Sequence, residues 1–368
     1  MIDARRLLIV MPTWLGDCVM AMPTLRALRG LYPDAHITAL VGAAVRPIID
    51  PNPWINRTVT VRGQRKGKSG GKSGGKTGGK TVARRAGPIR LAARLASGHF
   101  DTAVILPNSF RSALVTAMAK IPRRVGYDRD GRGVLLTDRL LARRTLEGFV
   151  PVPTRDYYLG LARYLGSADP DPAMQLFTRP EHDAQADELL RQGGFDTEAD
   201  RKLVLLNPGA NYGDAKMWEP ERFAHVADRC ADELGAFVAV NGSPKERAIL
   251  DRVIASARTP ILDLSAEGMP LSLLKSIVRR ASVVVTNDTG PRHVAAALGT
   301  PVVTLFGPTD PAWTEIGFEA ERQVSVKVFC GPCQKKKCPL DHRCMTRIEP
   351  QRVTRQVVEL AQGVGARA

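Results

Sequence analysis

The 368 residues are 44% hydrophobic and 24% charged, an ordinary globular balance in a chain too long for one hydrophobic core, so two domains are expected. No run reaches the roughly eighteen uninterrupted apolar residues of a membrane-spanning helix. Arg5-Arg6 before Leu7 to Leu25 imitates a signal peptide, but Pro12, Gly16 and Asp17 break the stretch, and a cytoplasmic protein is expected.

In chain order, Leu7 to Met11 reads as a buried strand, Pro12 to Gly16 as a turn, Asp17 to Arg29 as a helix and Ile37 to Val41 as a second strand. This βαβ order favours a parallel sheet with ligand loops at the strands' carboxyl ends. Net charge is +16, yet nine Lys or Arg residues and no acid fall between Arg62 and Arg85, leaving +7 elsewhere. Such charge suits nucleic acid, an anionic membrane or a phosphorylated substrate without ranking them. Within it, Gly67 to Thr81 repeats Gly-Lys-Ser/Thr-Gly and has nothing to bury, so a flexible insertion is expected. Gly70 to Thr77 and Gly74 to Thr81 match a phosphate-loop spacing only because the repeat is built of those letters, with no strand before and no helix after.

Order resumes with a helix over Ile89 to Ser97, a strand over Thr102 to Leu106 and a turn into a helix over Asn108 to Lys120. Asp169-Pro170-Asp171-Pro172 reads as a linker, placing a first domain at 1–175. A second βα series then occupies 176–349, with helix Ala184 to Gln192, strand Leu203 to Leu206, helix Phe223 to Leu234, strand Phe237 to Val240, helix Lys245 to Ala257, strand Ile261 to Leu264, helix Leu271 to Arg279, strand Val283 to Thr286, helix Pro291 to Leu298 and strand Val302 to Phe306. Residues 350–368 supply a closing helix, Val353 to Gln362, and a tail. The whole is an α/β architecture of two doubly wound, Rossmann-like halves facing a cleft.

Three strand-to-helix junctions carry candidate chemistry. Asn287-Asp288-Thr289-Gly290-Pro291-Arg292-His293 leads a buried strand into a helix whose free N–H groups and dipole suit phosphate oxygens, with Thr289 or Asp288 as cap. Asn207-Pro208-Gly209-Ala210-Asn211 through Lys216-Met217-Trp218 forms a second junction, in which Lys216 is either a diphosphate partner or a solvated lysine. Gly16-Asp17 follows the opening strand, and Asp17 there either accepts a proton from an acceptor hydroxyl or caps its helix; spacing alone favours the cap. Asp128-Arg129-Asp130 and Asp169-Pro170-Asp171 imitate an acid-x-acid metal motif but end no buried strand, so no catalytic metal is assigned. Cys330, Cys333, Cys338 and Cys344 offer four ligands for a structural zinc, or stand as free or partly oxidised thiols.

With these residues assembled, the chain resembles glycosyltransferase family 9, the lipopolysaccharide heptosyltransferases. The resemblance rests on Pro12-Thr13-Trp14-Leu15-Gly16-Asp17, Leu106-Pro107-Asn108-Ser109-Phe110-Arg111-Ser112-Ala113, Arg124-Val125-Gly126-Tyr127, Pro208-Gly209-Ala210 with Lys216-x-Trp218, Asn287-Asp288-Thr289-Gly290 with His293, and Gly307-Pro308-Thr309. The Asn-Ser-Phe-Arg-Ser stretch looks like the heptosyltransferase II branch. The resemblance implies a GT-B fold and inverting transfer of L-glycero-D-manno-heptose from ADP-heptose to heptosyl-Kdo2-lipid A, with no cofactor required. It implies Asp17 as general base and Lys216 as partner of the diphosphate. Gly209, Ala210, Asn211, Asp288, Thr289, Gly290 and His293 would line the donor site. Asn108, Ser109, Arg111, Arg123 and Arg124 are the expected acceptor contacts, the arginines for its phosphates or carboxylates. The lipid-linked acceptor implies work on the inner face of the inner membrane; no nucleic acid is expected. The Lys-Gly-Ser insertion is outside the family pattern, and after Gly242 the chain reads Ser243-Pro244 where some relatives place a glutamate. Two other readings are a family 9 transferase for a different sugar or acceptor, and a nucleic-acid or membrane-binding module acting through 62–85.

Overall fold

The computed structural model describes residues 4–61, 87–146, 148–196, 199–210, 212–265 and 269–365. The expected insertion at 62–85 lies outside the described residues, and so does Asn211. The first half begins with β1 (Arg6–Val10), α1 (Leu15–Met20), α2 (Met22–Leu31), β2 (His36–Gly42), α3 (Arg46–Ile49) and β3 (Arg57–Val61). It continues with α4 (Pro88–Ala96), β4 (Thr102–Ile105), α5 (Phe110–Met118), β5 (Arg123–Tyr127), β6 (Asp138–Leu140), a short antiparallel hairpin of β7 (Arg144–Thr145) and β8 (Gly148–Phe149), and α6 (Thr154–Leu165). The second half holds α7 (Pro180–Gln192), β9 (Leu203–Asn207), α8 (Pro220–Leu234), β10 (Phe237–Val240), α9 (Arg247–Ser256), β11 (Ile261–Asp263), α10 (Leu271–Arg280), β12 (Val283–Asn287), α11 (Gly290–Ala297), β13 (Val302–Phe306) and β14 (Glu321–Ser325), then α12 (Arg343–Thr346) and α13 (Pro350–Gly365).

Each half is a six-stranded parallel sheet, ordered β3-β2-β1-β4-β5-β6 and β11-β10-β9-β12-β13-β14. The strand order reverses between β1 and β4 in one sheet and between β9 and β12 in the other, and an open α/β sheet binds ligands outside the carboxyl ends at that reversal. The strands read as unbroken apolar runs because helices cover both faces. Leu7 and Ile9 enter one core cluster while Leu8 and Val10 enter another. In β9, Leu203 and Leu205 join the first cluster, and Val204 and Leu206 join a third with Val353, Val357 and Leu360 of α13. The terminal helix is therefore part of the second sheet's cover.

One core cluster runs from the α1 and α2 face of the first sheet to the α10 and α11 face of the second. Apolar burial thus joins the two halves as well as folding each. A fully buried Lys275 of α10 adds a polar tie: its ammonium donates to the carbonyls of Ile48 (3.2 Å), Asp50 (2.7 Å) and Phe177 (2.7 Å). Burial pushes its pKa down to about 8, against the nearby Asp50.

Sequence reading omits β3, β5, β6 and β14, which lie at or toward the sheet edges and mix charged residues into short apolar patterns. It also merges α1 and α2, which the structure separates at Ala21 with Pro23 in the first turn of α2.

Candidate active site

A cavity of about 710 Å³ opens between the halves, lined by Gly16 and Asp17 from the first and by Gly209, Lys216, Asp288, Thr289, Gly290 and His293 from the second. The loops after β9 and β12 are brought together because these strands are neighbours at the reversal. Asn287 fastens them, its Nδ2 donating to the carbonyls of Pro208 (2.7 Å) and Gly209 (3.3 Å). Two residues beyond Lys216, Trp218 is fully buried, edge-on to Phe223, with Nε1 donating to the Ile348 carbonyl at 3.2 Å. The indole anchors the loop in the core while Lys216 faces the cavity.

Lys216 Nζ donates to Asp288 Oδ2 at 2.6 Å and to the Asp288 carbonyl at 2.8 Å. Thr309 donates to the same carboxylate oxygen at 2.8 Å, and Arg292 lies 3.5 Å from the other. Burial would raise the Asp288 pKa, but the Lys216 and Arg292 charges and the bonds from Lys216 and Thr309 hold it below the ordinary carboxylate value. Arg292, fully buried, is itself gripped by both oxygens of Glu321 at 2.6 and 2.9 Å. The chain of charges fixes Lys216 at the cavity wall, where a diphosphate would meet it.

The helix starts of α1 and α11 abut. A methyl on Gly16 would stand 2.8 Å from His293 Cδ2, and one on Gly290 would stand 2.6 Å from Leu15. Both positions need glycine for this close approach. Thr289 occupies the N-cap position of α11, but its hydroxyl donates to the Asn287 carbonyl at 3.2 Å instead of accepting from a helix N–H. The expected cap is thus not made, which leaves the helix end open to an anion. His293 is buried, and desolvation, followed by the charge of Arg292, pushes its pKa down to about 3 despite Asp288. It is a neutral packing group at this contact.

Asp17 lies in the first turn of α1, whose N-cap position belongs to Trp14, and no side-chain cap bond forms there. Desolvation raises its pKa to about 6, a value suited to a general base near neutral pH. Asp17 also lines a second cavity, of about 210 Å³, with Asn108, Arg129, Arg143, Phe149, Tyr157, Tyr158 and Trp313. It is therefore the carboxylate on the wall common to both spaces.

The expected acceptor residues divide. Asn108 faces the smaller cavity and accepts from the Tyr157 hydroxyl at 3.0 Å and from Arg132 at 3.3 Å. Ser109 stands at the N-cap position of α5, and neither it nor Arg111 lines the cavity. Arg123 is paired with Asp138 at 2.8 Å, and Arg124 donates to the carbonyls of Leu135 (2.7 Å) and Ile121 (2.5 Å). Arg123 thus ties β5 to β6, strands absent from the sequence-based expectation, and Arg124 ties the turns that flank them. Among the donor-side residues, Ala210 lies beside the larger cavity without lining it.

Sequence reading missed Glu246, Arg129, Arg143, Tyr157 and Trp313. Glu246 lines the larger cavity, where a methyl on Gly209 would run into its carboxylate, and it accepts from the Ser243 N–H and hydroxyl at 2.7 Å. The carboxylate missing at Ser243-Pro244 is thus supplied three residues after Ser243, and the Ser-x-x-Glu spacing of a capping box was the available signal. Arg129 lies in the turn after β5, inside the Asp128-Arg129-Asp130 stretch weighed only for its acids, and Tyr157 lies on α6, which carries no motif.

All four clustered cysteines line a cavity of about 250 Å³ with His342. The Leu340 N–H points at Cys338 Sγ at 3.4 Å, and the other three thiols raise the Cys344 pKa after burial does. Among the described residues no three His, Cys, Asp or Glu side chains are grouped so as to hold a metal ion. The same segment braces the Lys216 loop: the Tyr212 hydroxyl donates to the Gln334 carbonyl at 2.7 Å, the Ala215 N–H donates to the Lys336 carbonyl at 3.2 Å, and His342 Nε2 lies 2.7 Å from the Ala215 carbonyl.

Residues 89–343 match the model of glycosyltransferase family 9 (heptosyltransferase). The chain is 28% identical over 367 residues to lipopolysaccharide heptosyltransferase 2 of Salmonella typhimurium, covering 98% of this chain and 99% of that one. It superposes on the solved structure of E. coli ADP-heptose LPS heptosyltransferase II with a TM-score of 0.77 at 26% identity, covering 98% and 99% of the two chains. The family 9 glycosyltransferase of Veillonella parvula shares the fold with a TM-score of 0.80 at 21% identity over 98% of each chain. Two facing doubly wound halves, the shared carboxylate at Asp17 and a family match over well over half the chain lead to one assignment: the protein belongs to glycosyltransferase family 9 and has the GT-B fold.

Proposed function

We propose that the protein transfers L-glycero-D-manno-heptose from ADP-heptose to heptosyl-Kdo2-lipid A with inversion at the anomeric carbon, as a step in lipopolysaccharide inner-core synthesis. The observation that carries this reading is the place of Asp17 on the walls of both cavities. One space takes the donor, the other the acceptor sugar. Asp17 accepts the acceptor hydroxyl's proton as that oxygen attacks the anomeric carbon, the bond from that carbon to the diphosphate oxygen breaks, and ADP departs. Lys216 and the open N–H groups at the start of α11 meet the charge on the leaving diphosphate. Inversion by a single displacement needs no nucleophilic side chain, and a carboxylate with a pKa near 6 is ionised at neutral pH. The heptose is supported by the names of the Salmonella and E. coli relatives.

The lipid-linked acceptor places the enzyme on the cytoplasmic face of the inner membrane, with the basic 62–85 segment as its contact with anionic lipid. No helix of the described residues is long and apolar enough to cross a membrane. A structural zinc at the four cysteines is part of the proposal; the thiols share a cavity, and holding the ion requires them to draw closer than the spacing seen among the described residues.

The deciding assay offers ADP-heptose, ADP-glucose and UDP-sugars with purified heptosyl-Kdo2-lipid A and reads the product by mass spectrometry. A heptose-sized mass gain from ADP-heptose alone is expected. A gain from another donor would move the assignment to a different sugar within the same fold.

A further inference from the structure

The smaller cavity carries two arginines that the reaction outlined above does not use. Arg129 lays its guanidinium 3.8 Å from the centre of the Phe149 ring, and its Nε is buried without a hydrogen bond. Arg143 stands at the exposed rim of the same cavity. Among the described residues neither arginine forms an ion pair, whereas Arg123 is paired with Asp138. Asp17, the acidic side chain on this wall, is held in no ion pair among the described residues either. Beyond stacking, Arg129 reaches the Tyr157 hydroxyl, a neutral partner. A guanidinium stacked on a ring keeps its N–H edge free and in a fixed plane, the arrangement that receives two oxygens of one anion.

We infer that Arg129, with Arg143 at the rim, binds an anionic group of the acceptor, a phosphate or a carboxylate carried on or beside the sugar whose hydroxyl faces Asp17. The inference rests on the proposed function, in that it takes the smaller cavity as the acceptor end. The cavity, at about 210 Å³, has room for one sugar ring. An anion at Arg129 would therefore fix that ring's rotation and decide which hydroxyl meets the base. The role moves from Arg123, paired with Asp138, and Arg124, committed to the Leu135 and Ile121 carbonyls, to a pair without an ion partner among the described residues.

The test uses the full chain, the variants Arg129→Met, Arg129→Lys and Arg143→Met, and three acceptors: native, enzymatically dephosphorylated, and carboxyl-reduced. With the native acceptor, Arg129→Met should raise the acceptor KM by about tenfold or more, the usual loss of a charge-assisted bidentate contact. The KM for ADP-heptose and the thermal unfolding midpoint should stay close to wild type. Against the acceptor lacking the recognised anion, wild type should be as weak as the variant, and whether that is the dephosphorylated or the reduced acceptor names the source. Arg129→Lys should recover only part of the affinity because it keeps charge and loses the fork. Equal losses on all three acceptors, or no change in KM, would overturn the site. Equilibrium binding of the three acceptors in the presence of ADP reads the same contrast without turnover. A wild type that binds acceptor through Arg129 yet transfers nothing would count against the reaction, while acceptor binding indifferent to Arg129 would count against the subsite.

Discussion

Lys216 Nζ lies 2.6 Å from Asp288 Oδ2 with both side chains almost wholly buried, so the cation of one junction loop is held by the carboxylate of the other. The pair is costly to break from one side and serves to aim Lys216 at the diphosphate. Lys216→Met should lower turnover roughly 100- to 1,000-fold, the loss seen when a positioned transition-state charge partner is removed. It should also destabilise the fold by about 3 kcal/mol because Asp288 is left buried. Adding Asp288→Asn should return much of the stability and none of the turnover. A double variant no more stable than Lys216→Met would show that the pair is not the strut described here.

Asp17 gives two pH signatures. Its folded pKa of about 6 lies above the ordinary aspartate value of 3.8, so transfer should fall tenfold per pH unit below about 6 as the base is protonated. For stability, the folded state binds the proton more tightly than the unfolded chain. Stability from this group therefore declines as pH rises from 3.8 to about 6, and the full penalty persists above that. Asp17→Asn should abolish transfer, keep ADP binding, and be more stable than wild type at pH 7.5 by at most about 3 kcal/mol, with little difference at pH 4. Calorimetry at both pH values checks the sign, and an active variant would remove Asp17 from the role of base.

Gly16 sits where a methyl group would meet His293 at 2.8 Å. Gly16→Ala should separate the starts of α1 and α11, lowering stability by about 1–3 kcal/mol and lowering kcat more than it changes ADP affinity. His293→Ala in the same chain should restore part of both by making room. Failure of that rescue would place the effect of Gly16 in the backbone of its own turn.

The cysteine segment supports the Lys216 loop through Gln334, Lys336 and His342. Cys344→Ala, at a buried position against Gly307, should lower the unfolding midpoint and raise protease cleavage within 328–344. Metal analysis of protein purified in reducing buffer with zinc available separates the two chemistries. One equivalent of zinc lost with the substitution supports a thiolate site, and metal-free protein that resists unfolding equally well leaves free thiols packing the loop.

The repeating βα order, the two halves and the three junctions are written in the chain itself, because buried parallel strands are nearly continuous apolar runs and Gly, Pro and Asp mark their ends. Asp17, Lys216, Asp288 and His293 were legible for that reason. Which side chains face one another emerges only on folding. Strands β5 and β6, too mixed in composition to announce themselves, and the turns flanking them consume the donors of Arg123 and Arg124. Meanwhile a hairpin with no motif presents Phe149, on which Arg129 of the turn after β5 stacks at the cavity. Asp17 becomes more than a first-turn acid only when two cavities meet at its carboxylate and burial lifts its pKa. Proton affinity and partnership depend on neighbours brought in from distant parts of the chain, and local periodicity carries no record of them.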